Sequence, residues 1–198
     1  MPRVSEAHLA ARRLQIAEAA ARCFARNGFH ATSMQDVIRE AGLSAGAVYR
    51  YFSSKEALVK EIASEAIPEI MSQLDKVLAT DPMPPLDEII DALLATSEKH
   101  LGVRLRLAVQ VWGEALRNPE LAEMVKSIYG GFRDKLTMIA RRAREAGHLP
   151  EDSDDVAVGS ALFSLLPGYL LQRLLLGDLD REQYVAGVRA LLRAPTKR

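Results

Sequence analysis

One cysteine, Cys23, in a chain of 198 residues leaves no partner for an internal disulfide and too few thiolates for a structural zinc site. It falls on an apolar helix face and reads as an inert core thiol. Aromatic residues make up 6% of the chain, with Trp112 the single tryptophan. No stretch alternates apolar and polar as a half-buried strand would, so β architectures are set aside. There is no H-E-x-x-H, no glycine-rich phosphate loop and no G-x-S-x-G. The acidic stretch 151–155 lacks the glycine and the distal glutamate of a calcium loop, and neither His8 nor His30 belongs to a metal-ligand motif in the sequence. No metal site, no cofactor and no enzymatic activity is expected. No apolar run is read as approaching the eighteen or so residues of a membrane span, and the start of the chain lacks the apolar core of a signal peptide. The expectation is a cytoplasmic protein without a membrane partner.

Excess charge is also lacking: 26 basic side chains balance 26 acidic ones. The balance is uneven along the chain. Residues 1–60 carry nine Lys and Arg against five Asp and Glu, and the remainder carries 17 against 21. A basic end on a neutral chain is the footprint to look for in a nucleic-acid binder. With 48% hydrophobic residues, the chain can bury a proper core.

The basic end holds the most informative stretch, Thr32 to Leu58. Thr32 and Gln35 have the spacing of a capping box, and Met34, Val37, Ile38 and Ala41 follow as one apolar stripe closed by Gly42. The link Ala41-Gly42-Leu43-Ser44 has the length and the glycine of a helix-turn-helix corner. Ser44 can cap a second helix over Ala45 to Tyr51, whose first turn, Ala45-Gly46-Ala47, is nearly bare. A bare first turn lets a helix backbone approach the floor of a DNA major groove. Ser53 and Glu56 read as a further capping box, which places Lys55 where it can serve a phosphate. Ahead of this stretch a helix over about 7–27 carries Ile16, Ala20, Cys23 and Phe24 on one face. The arm before it holds Arg3, a candidate for further DNA contacts.

Phe24, Gly28, Thr32, Asp36, Ala41-Gly42, Ser44, Gly46, Tyr49, Tyr51-Phe52 and Lys55-Glu56-Ala57-Leu58 together resemble the TetR-type bacterial transcriptional regulators, over about Leu14 to Ile62. The sequence departs from that pattern at Ala45 and Ala47, where the family commonly has lysine and threonine. The resemblance implies an all-α fold of about nine helices, with a DNA-binding domain over 1–53 and an effector-binding and dimerisation domain over 54–198. It implies a homodimer on double-stranded DNA, most simply a repressor released by a small hydrophobic or amphipathic effector. Carried onto this chain, it makes Thr32, Ser44, Tyr49, Tyr51 and Lys55 phosphate contacts. Gly46, Ala47 and Arg50 are the base-side candidates, with the DNA backbone as the alternative for Arg50, and Ala45 completes the DNA-binding set.

The rest of the chain reads as helices over about 54–80, 86–101, 104–117, 119–146, 153–176 and 181–192, punctuated by Pro82, Pro84, Pro85, Gly147 and Gly177. Pro68 lies inside the first of these, as a passive kink or as a bend through which ligand state reaches the DNA-binding end. His100, Arg104, Gln110, Trp112, Glu114, Tyr129 and Phe132 are the candidate ligand-binding residues, with Trp112 open between pocket and core. Gly130-Gly131 makes room for a ligand or a kink, at a cost of roughly 2 kcal/mol in helix propensity. The segment 156–176 is apolar on more than one face, so it is either the central helix or one that packs inward and against a twin. The second reading puts Leu162, Leu166, Tyr169, Leu170, Tyr184 and Val188 in a dimer interface, with a local break at Pro167-Gly168. Two rivals remain: a DNA-binding protein without an effector, and a helical small-molecule-binding protein with a vestigial helix-turn-helix, which the loss of polar groups at Ala45 and Ala47 would suit.

Overall fold

The structure is a computed structural model that describes residues 6–101 and 104–193. The arm around Arg3 and the tail from Ala194 lie outside the described residues. Among those described there are nine helices and no strand: α1 (Glu6–Asn27), α2 (Met34–Ala41), α3 (Ala45–Tyr49), α4 (Lys55–Ala79), α5 (Leu86–Leu101), α6 (Leu105–Ala115), α7 (Pro119–Glu145), α8 (Asp155–Leu176) and α9 (Arg181–Leu192). They form two compact units. The first comprises α1, α2, α3, α4 up to Ala66, α6, and α7 up to Val125; the second comprises α4 from Ile67, α5, α7 from Lys126, α8 and α9.

In the first unit α1 buries Ile16, Ala17, Ala20, Cys23 and Phe24, the stripe expected from sequence, against α2 and α6. Gly28, at φ +87°, ends α1 in the left-handed conformation that spares glycine a Cβ clash. α2 is too short to stand alone and is fixed at both ends. Ser33 Oγ accepts from the Asp36 amide while the Asp36 carboxylate accepts from the Ser33 amide at 2.9 Å. At the other end Gln15 Nε2 donates to Ala41 O at 2.9 Å. The capping residue is therefore Ser33 rather than Thr32. Thr32 is buried, and its hydroxyl donates to Gly28 O at 2.7 Å and Cys23 O at 3.3 Å. A similar shift occurs at α4, where Ser54 Oγ, not Ser53, accepts from the Ala57 amide at 3.2 Å. α3 is shorter than the sequence suggests, ending at Tyr49 with Arg50 as its C-cap.

In the second unit α5 packs against α8 and α9. The C-terminal carbonyls of α4 are taken up by Arg142 of α7, which donates to Leu78 O and to Thr80 O at 2.9 Å. Asp154 caps α8 and Asp180 caps α9. α7 and α8 approach so closely at Gly159 that a Cβ there would lie 2.7 Å from the Thr137 backbone nitrogen. α8 runs unbroken through Pro167, so the expected break is absent. Packing on both sides of the proline, by Leu162 before it and Tyr169 and Leu170 after it, holds the helix together. By length and composition α8 is also apolar enough to cross a membrane, which corrects the sequence estimate of its apolar run.

Candidate nucleic-acid interface and effector site

One side chain anchors α3. Val48 is fully buried and joins the core that contains Phe24, Val37 and Phe52. Ser44, Ala45, Gly46, Tyr49 and Arg50 are exposed and Ala47 is half-buried. A Cβ added at Gly46 would meet nothing within 4 Å, so the first turn presents bare backbone to whatever approaches it. Ser44 Oγ accepts from the Ala47 amide at 3.3 Å, which leaves its hydroxyl proton to donate outward.

The basic residues around this helix are mostly committed. Arg13 pairs with Glu61 and lies 5.1 Å over the Phe52 ring. Arg22 and Arg26 both pair with Glu40, at 2.9 and 3.0 Å. Arg39 faces Asp36 at 3.8 Å, Lys60 pairs with Glu120 at 2.7 Å, and Arg12 donates to Gln15 at 2.7 Å. Among the described residues up to position 60, Arg50 alone has its cation unengaged. Lys55 is half-buried and donates to Phe29 O at 2.8 Å and His30 O at 3.3 Å, which leaves one of its three N–H groups for another acceptor. Tyr51 packs against the core instead of standing free. Burial with both hydroxyl contacts made inward removes Thr32 from the candidate phosphate contacts. Its neighbour Ser33 is exposed and caps α2, which the S-x-x-D spacing from Ser33 to Asp36 signals in the sequence.

Hydrogen bonds from the Ser33 hydroxyl and amide hold the Asp36 carboxyl below the usual carboxylate range. Arg22 and then Arg26 do the same for Glu40. Burial pushes the Cys23 thiol up, which keeps it protonated and unreactive.

The seven candidate ligand residues are divided between the two units. Arg104, Gln110, Trp112 and Glu114 fall in the first unit, and His100, Tyr129 and Phe132 in the second. Arg104 pairs with Glu65 and Gln110 Oε1 accepts from the Phe29 amide at 2.7 Å. Glu114 stands 3.9 Å from His30 Nδ1. Trp112 is half-buried. Phe132 is buried and lines an apolar crevice inside the second unit, with Leu74 of α4, Leu93 and Leu94 of α5, Leu136 of α7 and Phe163 of α8. Tyr129 meets Phe163 edge-on, ring centroids 4.9 Å apart. Every lining side chain is hydrocarbon. The cavity volume is about 10 Å³, room for about one water, so a larger occupant must displace side chains.

Of the six residues assigned to a dimer interface, four are buried within their own chain, and Leu166 and Tyr184 are half-buried. Leu162 and Leu166 line the crevice. Leu162, Tyr169, Leu170 and Val188 are each no more than 5% exposed. Tyr169 donates to Glu98, and its ring lies 5.0 Å from that of Tyr184 at a tilt of 53°; the Tyr184 hydroxyl donates to Leu165 O at 2.9 Å. The reason is that a helix apolar all round does not announce which face α5 and α9 will cover. The face left exposed on α8 runs through Ala157, Ala161, Ser164, Leu171 and Leu175 at steps of three and four, apart from one of seven that passes half-buried Gly168. α9 leaves Ala186, Gly187, Ala190 and Leu191 exposed.

Comparison with known proteins bears on both units. Residues 16–62 match the family described as bacterial regulatory proteins, tetR family, and residues 82–195 match the description BetI-type transcriptional repressor, C-terminal. The chain is 28% identical over 186 residues to the HTH-type transcriptional regulator UidR of Escherichia coli strain K12, covering 91% of this chain and 90% of that protein. It is 30% identical over 151 residues to the uncharacterized HTH-type transcriptional regulator YfiR of Bacillus subtilis, covering 74% and 72%. Among solved structures, GusR of Salmonella enterica superposes with a TM-score of 0.78 at 25% identity, covering 96% of this chain and 97% of that one.

Proposed function

The chain belongs to the tetR family of bacterial regulatory proteins, and from that premise we propose that it represses transcription as a cytoplasmic homodimer that a small apolar effector releases from DNA. It is a helix-turn-helix DNA-binding regulator and not an enzyme. The observation that carries the rest of the reading is Arg50, an uncommitted cation at the end of an exposed α3. We assign Arg50, Ala45, Gly46 and Ala47 to the base edges in a major groove. Ser33, Ser44 and Tyr49 go to the phosphates, with Lys55 contributing its remaining N–H. The functional division at residue 53 remains part of this proposal.

Dimerisation is assigned to the exposed stripe of α8 and the small residues of α9. Ala161, Ser164 and Gly168 allow two helices close approach, and Leu171 and Leu175 add apolar area. The effector is assigned to the hydrocarbon crevice around Phe132, whose lining suits an uncharged molecule. Pro68 lies two residues beyond the boundary between the compact units within α4. In this reading Pro68→Ala alters the response to effector more than it alters DNA affinity without effector. A regulator without an effector is the second reading, favoured by how little room the crevice holds.

The test is fluorescence anisotropy against labelled DNA from upstream of the protein's own coding region, over a salt series and beside a scrambled control. Tight binding to the upstream fragment alone, weakening steeply with salt, is expected. Equal weak binding to both would count against sequence reading by α3.

A further inference from the structure

The turn that leads from α1 into α2 is held by side chains from far along the chain. The Phe29 amide donates to Gln110 Oε1 of α6 at 2.7 Å, across 81 residues. The Phe29 carbonyl accepts from Lys55 Nζ of α4 at 2.8 Å, and the His30 carbonyl from the same ammonium at 3.3 Å. That ammonium also lies 4.5 Å over the Phe29 ring, which is buried and packs on Phe24 at 5.3 Å. The turn is thus clamped on opposite sides of one peptide residue, by an acceptor on its N–H and a cation on its C=O.

α6 is itself well placed to act as the fixed side of this clamp. Arg104, at its N-cap, pairs with Glu65 of α4. Beyond its other end, Asn118 Nδ2 donates to Glu56 Oε1 at 3.0 Å while Asn118 Oδ1 caps α7, accepting from Glu120 N at 3.0 Å. Both ends of α6 are therefore tied to α4, and Gln110, midway between them, reaches the turn by a hydrogen bond. Downstream of the turn the path to α3 is short. Ser33 caps α2, and Gly42 N donates to Arg39 O at 3.2 Å in the corner that sets α3.

We propose that Gln110 is a positioning residue for DNA binding: by holding the Phe29 amide from α6, it fixes where α2 begins and so the angle at which α3 meets the groove. The proposal rests on the DNA-binding reading above. Gln110 therefore acts on DNA recognition through Phe29, and its amide oxygen is not available to an effector. Removing the acceptor leaves a partly buried N–H unsatisfied, which the turn relieves by shifting.

A duplex is first selected from a random-sequence pool with the wild-type protein, and binding to it and to a scrambled duplex is then measured for Gln110→Leu, Gln110→Met and Gln110→Glu. The leucine and methionine variants should lose roughly tenfold in preference for the selected duplex, as expected from about 1.4 kcal/mol per tenfold. Binding to the scrambled duplex should change little. Gln110→Glu keeps an oxygen in place and should restore the preference. A role in stability alone would lower the melting temperature and leave the preference of the folded protein intact; that result, or a glutamate variant that fails to restore preference, overturns the proposal. Failure of the wild-type protein to enrich any duplex would instead overturn the DNA-binding reading, and with it this one, before any variant is made.

Discussion

A Cβ on Gly159 would lie 2.6 Å from Thr137 Oγ1, 2.7 Å from its N and 2.8 Å from its Cα. Two of those atoms are backbone and cannot rotate away, so Gly159→Ala must push α7 and α8 apart and should destabilise the protein by roughly 1–3 kcal/mol. Gly130 is the control, because a Cβ there meets nothing within 4 Å. Gly130→Ala should stabilise α7 by up to about 1 kcal/mol, and thermal or urea denaturation of the two variants checks the contrast. Arg50 raises a different question at the same scale. As an exposed side chain without a partner, its loss should change stability by no more than about 0.5 kcal/mol. Arg50→Ala should nevertheless cost about 1–3 kcal/mol of binding to a specific duplex and relax preference at one base position. Anisotropy against single-base variants of a selected duplex measures this, and a uniform loss on every duplex would move Arg50 to the phosphates. Lys55→Ala, by contrast, should lower stability as well as affinity, because its ammonium holds two carbonyls of the turn. That double role was not legible in the sequence: K-E-A-L after two serines gives a helix start, but nothing in it points to Phe29. The caps were legible to within one residue, since Thr32-Ser33 and Ser53-Ser54 each offer two hydroxyls and only the backbone decides between them.

Asp87 in the first turn of α5 accepts from Arg189 Nε of α9 at 2.6 Å, and the carboxylate is nearly covered. The hydrogen bond from Arg189 holds the Asp87 carboxyl below its usual range, against the opposing effect of burial. A carboxyl whose folded-state pKa is depressed stabilises the fold fully above its unfolded pKa, and that contribution is lost as pH falls through the lower, folded value. Acidification below about pH 4 should therefore loosen the packing of α9 on α5, and Asp87→Asn should remove that part of the acid sensitivity. Denaturation midpoints of the two proteins between neutral pH and pH 3 compare the slopes; parallel curves would count against the pair. At the scale of elements the sequence was a good guide to where helices are. Gly28, Gly42, Gly147, Gly177 and the prolines at 82–85 mark ends that backbone chemistry enforces locally. Which face a helix buries was legible for α1 and α2, whose stripes are narrow. It was not legible for α8, because Leu, Phe, Tyr and Ala on every side satisfy any choice of buried face. The choice is made by its neighbours: Leu162 goes into the crevice lined by α4, α5 and α7, and Tyr169 meets Tyr184 of α9.

At the scale of the whole molecule, α6 and the start of α7 belong to the same compact unit as α1, α2 and α3. Sequence order suggested otherwise, because contacts such as Phe29 with Gln110 span 81 residues and leave no periodic trace. The proposed dimer is decided at this scale too. Tyr169 and Leu170 are buried within their own chain, so a charge there tests folding and not assembly. Leu171 and Ala161 lie on the exposed stripe of α8, where a glutamate has water around it in a monomer and an apolar twin in a dimer. Leu171→Glu and Ala161→Glu should thus leave the melting transition of the monomer nearly intact and halve the mass found by light scattering. Tyr169→Glu should lower stability by several kcal/mol, because it removes a fully buried ring and sets a second carboxylate beside Glu98. Two linked heads bind two half-sites with a high effective concentration, so the monomeric variants should also bind a two-fold symmetric duplex roughly a hundredfold or more weakly. Their affinity for a single half-site should be unchanged, because α3 and the residues that position it are untouched. A wild-type protein that scatters as a monomer at micromolar concentration, or a Leu171→Glu variant that keeps full affinity for the symmetric duplex, would overturn the assignment of this face to dimerisation.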